Sequence, residues 1–186
     1  MRLGVALMLL ALFAAGCDRQ ASSPQSNSPQ LEAPGPEAEP ARVFAAANDA
    51  ASSATGRLTS SVALRLADAS DSSSEGQEVL TLTGANGVSV EAELTAAVSP
   101  ATQVQGQTLR ALLDIPVEEP QVLVYRVRNE TKASGQGICG ANNPANVVVW
   151  EPAGPGEPVM KVLGLMGGAP GASDARACPM LEYRRQ

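Results

Sequence analysis

The sequence predicts a mainly β fold, a small antiparallel sandwich or barrel, placed after a signal peptide and a disordered Pro/Ser-rich tether. Three observations carry that prediction. From Arg57 onward, apolar residues recur at every second position in short runs, the period of a half-buried strand. Turns rich in Gly and Pro separate the runs, and one of them holds Asn86-Gly87, a pair that tolerates the positive φ of a tight hairpin. Helical periodicity is scarce, so six or seven strand patterns leave a sandwich or a barrel as the compact solutions.

The elements follow in chain order. Residues 42–56 are rich in alanine, which favours helix, and the Ser, Thr and Gly that interrupt them stop it, so the segment reads as a weak helix or linker ahead of a β-rich domain at 57–186. In LTSSVALRLADAS, Val62, Leu64 and Leu66 alternate with Ala63 and Arg65 as a strand would. EVLTLTGANGVSVEAELT sets Leu80 and Leu82 on one arm of a hairpin and Val88, Val90, Ala92 and Leu94 on the other, with the turn at Gly84-Ala85-Asn86-Gly87. QTLRALLDI fits either a short helix or a strand. In QVLVYRVRN, Leu123, Tyr125 and Val127 share one face, and Val122, Val124, Arg126 and Arg128 share the other. NVVVWE and VMKVLGL read as two further strands joined by a Pro/Gly loop, and MLEYRR as a terminal one.

Ahead of these elements the composition changes twice. Residues 1–16 hold Arg2, an apolar run from Leu3 to Ala15, and then Gly16, the layout of an export signal. The run is shorter than the roughly 20 apolar residues of a membrane-spanning helix. Cys17 follows Ala14-Ala15-Gly16 directly, and this stretch resembles the lipobox of bacterial lipoproteins. The resemblance implies cleavage before Cys17 and acylation of its sulfur, palmitate among the chains, with the mature protein fixed to the cell membrane and facing the periplasm. Each buried methylene adds about 0.8 kcal/mol, and two membrane signals already make a stable anchor. Asp18 resembles the inner-membrane retention signal of some enteric lipoproteins, and the choice between inner and outer membrane stays open. Residues 17–41 then form the lipidated Cys and linker, too rich in Pro and Ser to offset the chain entropy of folding.

Composition narrows the function. The formal net charge is −6, which argues against nucleic acid as a partner, since phosphate binding needs clustered Lys and Arg. The chain contains 0 His, so the commonest general base and metal ligand is missing and neither Ser-His-Asp nor Cys-His machinery can be built. Phe44, Tyr125, Trp150 and Tyr183 are the aromatics beyond the leader, few for a carbohydrate cleft or a base-stacking surface. With Cys17 acylated, Cys139 and Cys178 remain, and in an oxidising envelope they are expected to pair. Two sulfurs without His or further Cys do not complete a zinc shell, so no metal and no cofactor is expected.

The remaining polar clusters each admit a plain role. Glu91 and Glu93 share a strand face opposite Val90, Ala92 and Leu94, and are expected to point to water, as is Glu118-Glu119 between two prolines. Asp68, Ser70, Asp71, Ser73 and Glu75 offer hard oxygens without the spacing of a calcium loop. Asn129-Glu130-Thr131 matches a glycosylation sequon by accident of composition. The glycine-rich GGAPGASDARAC, residues 167–178, lacks the Gly-Lys-Ser of a phosphate loop but carries Ser173, Asp174 and Arg176 as a possible partner-binding loop. Its SDAR, together with Cys139-Gly140, resembles the membrane-bound inhibitors of c-type lysozyme, lipid-anchored β-barrels whose loop plugs an enzyme cleft. Two functions follow: a non-catalytic binding or structural module of the envelope, anchored in the membrane, with an envelope protein as a possible partner; or, as the alternative, an inhibitor of a lysozyme-like periplasmic enzyme. A catalytic reading would have to rest on Asp, Glu, Ser or Arg alone.

Overall fold

Each alternating run becomes one strand of a sheet that closes on itself. The computed structural model describes residues 39–65, 76–133, 135–152 and 158–186. In chain order the elements are β1 (Arg42–Ala46), α1 (Asp49–Ala54), β2 (Leu58–Arg65), β3 (Gln77–Gly84), β4 (Ser89–Val98), β5 (Gln103–Val104), β6 (Gln107–Thr108), α2 (Leu109–Leu113), β7 (Val122–Thr131), β8 (Asn146–Trp150), β9 (Val159–Met166) and β10 (Arg176–Arg185). Apart from the small β5–β6 hairpin, the strands form a closed barrel in the order β1-β10-β9-β8-β7-β4-β3-β2. Every pairing is antiparallel, and every strand lies beside its chain neighbour once β5, β6 and α2 are set aside. This is an up-and-down meander, the barrel type in which about eight strands enclose just enough room for side chains or one small ligand.

The two-residue period sorts side chains between two cores. Phe44, Leu58, Leu80, Leu82, Val90, Tyr125, Val147, Val162 and Tyr183 belong to the core inside the barrel. The alternate positions Val122, Val124, Val148, Leu163 and Leu165 form a second core on the outer surface, under Val104, Leu109, Leu113 and Ile115. Both faces of β8 and β9 are therefore buried, which is why these strands read as nearly continuous apolar runs. Covering that outer face is the task of the excursion between β4 and β7. Gln105 and Gly106 take positive φ (51° and 79°) to turn its hairpin, Thr108 caps α2, and Asp114 ends the helix in the left-handed conformation. Lys161, nearly buried on β9, donates to the Asp114 carbonyl at 2.7 Å and so fastens the end of α2 to the barrel.

One end of the barrel is shut. Helix α1 lies across it, with Asn48 accepting from Ala51 N at 2.8 Å and donating to Met180 O at 3.0 Å, so a single side chain caps the helix and ties it to β10. Thr55 Oγ1 and Tyr183 Oη share a buried hydrogen bond of 2.7 Å beneath it. Burial, against the smaller effect of that hydrogen bond, pushes the Tyr183 hydroxyl up to about 12. Cys139 and Cys178 are disulfide-bonded, with Cα atoms 5.3 Å apart, and join the loop after β7 to the start of β10. Gly164 passes under this bond so closely that a Cβ there would lie 2.5 Å from Cys139 Sγ, which explains a glycine in the middle of β9. Lys132 donates to the carbonyls of Gly140, Ala141 and Asn142, and Glu130 accepts from Ile138 N at 2.9 Å, completing the plug.

Three expectations change. Arg42–Ala46 is a barrel strand, so the first third of segment 42–56 is neither helix nor linker and the folded unit starts before Arg57, while the helix falls at Asp49–Ala54. Val43 and Phe44 suit a strand, and pairing decides: Phe44 sits opposite Leu58 on β2 and Arg185 on β10, and the ladder bonds outweigh the helix preference of the alanines. The ambiguous QTLRALLDI resolves into the two-residue strand β6 followed by helix α2. The last strand begins at Arg176 rather than Met180, crossing a bulge between Ala177 and Met180 that accommodates the disulfide. The leader, Cys17 and the tether to residue 38, with the oxygen-rich residues 68–75, lie outside the described residues.

Candidate ligand cavity at the open end of the barrel

At the end away from α1 the inward positions no longer meet, and they leave a cavity of about 430 Å³. That is within the range of about 300–1,000 Å³ usual for small-molecule sites. Its deep wall is apolar: Val62, Leu80, Leu123, Val149 and Met160, drawn from β2, β3, β7, β8 and β9. Its upper wall is polar, built by Arg42, Glu78, Tyr125 and Glu151, with Glu39 and Glu119 at the rim, and Ser60 lies deeper, below Val62 on β2. An eight-stranded ring thus changes from hydrocarbon to charge along its own axis.

The polar groups are wired in pairs from distant parts of the chain. Tyr125 Oη donates to Glu78 Oε1 at 2.7 Å, bridging β7 and β3 across the lumen. Burial first, then the hydrogen bond and charge of Glu78, drive the Tyr125 hydroxyl far above its ordinary range. Tyr125 is therefore a fixed donor and not a base. Arg42 Nη1 donates to Glu151 Oε2 at 2.6 Å, joining β1 to the end of β8, and the guanidinium also lies 5.9 Å from the centre of the Phe44 ring. Ser60, opposite Arg42 in the β1–β2 ladder, is fully buried and its Oγ has no hydrogen-bond partner among the described residues. A buried unpaired hydroxyl costs about 1–3 kcal/mol, so its presence at a cavity wall is informative.

The residues singled out in the sequence fall elsewhere. Ser173 and Asp174 on the turn between β9 and β10, and Arg176 at the first position of β10, are exposed at the shut end of the barrel. That turn is held to the β5–β6 hairpin by Gly171 N donating to Gln103 O at 3.0 Å and Ala177 N donating to Gln105 Oε1 at 3.3 Å. Glu91 and Glu93 do face outward, but not to open water alone. Arg65 bridges both carboxylates, and Arg128 Nε donates to Glu93 Oε2 at 2.7 Å, leaving the Glu93 side chain only 16% exposed. Glu118 is exposed, whereas Glu119 reaches the cavity rim. Glu130, read in the sequence as the middle of an accidental sequon, is part of the plug. No group of three or more Cys, Asp or Glu arranged to hold a metal occurs among the described residues.

Sequence reasoning did not find the cavity. Glu78 and Tyr125 are 47 residues apart, and Arg42 and Glu151 are 109 apart, so no local spacing announces either pair. The available signal was a charged residue in phase with an apolar strand face: Glu78 in step with Leu80 and Leu82, and Arg42 in step with Phe44. No family model, curated protein or solved structure matches this chain.

Proposed function

We propose that this chain is a lipid-anchored protein of the cell envelope, held to the membrane through Cys17 and facing the periplasm, whose barrel binds a ligand without transforming it. The observation that best supports binding is the cavity itself, an apolar pocket with an ordered polar collar in a barrel whose other end is shut. The collar's strongest groups are committed to each other, Tyr125 to Glu78 and Arg42 to Glu151, which suits holding a molecule better than moving its protons. The disulfide supports an oxidising compartment. Two measurements test the reading. The full chain is expected to take up labelled palmitate and to fractionate with membranes, and Cys17→Ala to lose both; retention of label by the variant would overturn the anchor. Purified protein is expected to extract a small molecule or a specific partner from solubilised envelopes while turning over none of a panel of hydrolase substrates.

The exposed turn carrying Ser173 and Asp174, with Arg176 just after it, supports a second reading, an inhibitor that offers residues 167–178 to a lysozyme-like enzyme. Its fixed attachment to the β5–β6 hairpin suits an inserting loop. A lysozyme inhibition assay decides it, with Arg176→Ala expected to abolish inhibition.

A further inference from the structure

The collar of the cavity is strongly biased in charge. Glu39, Glu78, Glu119 and Glu151 face a single cation, Arg42, and that guanidinium is already paired with Glu151. An anionic ligand would enter a mouth of like charge and find no free basic group among the described residues that line it. Glu78 presents the opposite opportunity. One of its oxygens accepts from Tyr125, and the other receives no hydrogen bond or ion pair among the described residues. Below Glu78 lie Leu80, Val62 and Met160, which demand an apolar body. Deeper still on β2, opposite Leu82, the buried Ser60 Oγ lines the cavity without a protein partner among the described residues. Resting on the reading of the barrel as a binding module, we infer that the cavity takes a small amphipathic cation: one ammonium or amidinium group held by Glu78, with a compact aliphatic or aromatic body in the barrel. Tyr125 acts as a positioning residue, holding the carboxylate in place from below.

Three probes with one shared body and different heads test this: phenethylammonium, 2-phenylethanol and phenylacetate. Each is titrated calorimetrically into the full chain in phosphatidylcholine nanodiscs, with empty nanodiscs as the blank. Phenethylammonium is expected to bind roughly tenfold or more tighter than the alcohol, and phenylacetate weakest of the three. Glu78→Gln keeps the shape and still accepts from Tyr125, and is expected to remove most of the preference for the ammonium while leaving the alcohol unchanged. Ser60 lies at the body's end of the cavity, so Ser60→Ala is expected to be tolerated by the fold and to leave the preference for the ammonium over the alcohol unchanged. If phenylacetate or the alcohol binds as well as the ammonium, the cationic ligand is wrong and the binding barrel stands. If none binds at roughly millimolar concentration, both fall. The ranking of the three probes on the unaltered protein decides the matter even if Glu78→Gln does not fold.

Discussion

The two ends of this barrel use the same strand positions for opposite purposes. At the shut end, inward side chains meet α1, a disulfide and the Lys132 plug, and most polar groups there, the Thr55–Tyr183 pair apart, serve the backbone, capping a helix or collecting loop carbonyls. At the open end, inward positions carry Arg42, Glu78 and Tyr125, whose hydrogen bonds run side chain to side chain. The contrast is clearest in the two tyrosines. Tyr183 is sealed against Thr55 beneath α1, whereas Tyr125 points its hydroxyl at a carboxylate beside a cavity. Cross-links gather at one end, and the ring is left unfilled at the other.

Several changes should break or sharpen that division. Replacing both Cys139 and Cys178 by Ala frees a link spanning 39 residues and is expected to cost about 4 kcal/mol, read as a lower urea midpoint. Alkaline pH should act on both ends, since both tyrosine hydroxyls are raised. The Tyr183 hydroxyl titrates near 10 in the unfolded chain but at about 12 when folded, so its contribution is intact below pH 10 and is lost as pH rises towards 12. Its share of the slope in that window is about 1.4 kcal/mol per pH unit, and Tyr183→Phe should remove that share while the part due to Tyr125 remains. At the open end, Tyr125→Phe leaves Glu78 without its donor and is expected to cost about 1 kcal/mol, with a larger effect on ligand affinity than on the melting temperature. Smallest of all, Arg65→Ala on the outer surface should leave the unfolding midpoint where it is, because the Arg65 side chain is 55% exposed and Glu93 keeps Arg128 as a partner.

Much of the shut end was legible in the sequence, and little of the open end. The hairpin at residues 80–94 was written in local terms, by alternation on both arms and by the Asn86-Gly87 turn, where Gly87 takes a φ of 86°. The pairing of Cys139 with Cys178 needed only a count of thiols and a compartment. By contrast, β1 offers Phe44 as its one strongly apolar inward residue, and its identity as a strand comes from partners at the far end of the chain. The outer core was half visible: the alternation puts Val122 and Val124 on the second face of β7, but Arg126 and Arg128 share that face and nothing local shows that α2 covers its apolar end. Cavity residues were the least visible, because Arg42, Glu78, Tyr125 and Glu151 are brought together by closure and by nothing nearer in sequence.

Closure itself depends on the last strand. β10 hydrogen-bonds to β1, and Gln186 N donates to Val43 O at 2.9 Å, so the seam of the ring lies between the first and last strands of the domain. The chain can therefore form its central hairpins early, but the ring cannot close until β10 is in place. A premature stop that removed only β10 would leave β1 and β9 as two raw edges, lose one half of the cystine, and open the lumen to other chains. The same seam suits this sequence to circular permutation, since a short link from Gln186 to Pro40 would join ends that the sheet already holds side by side.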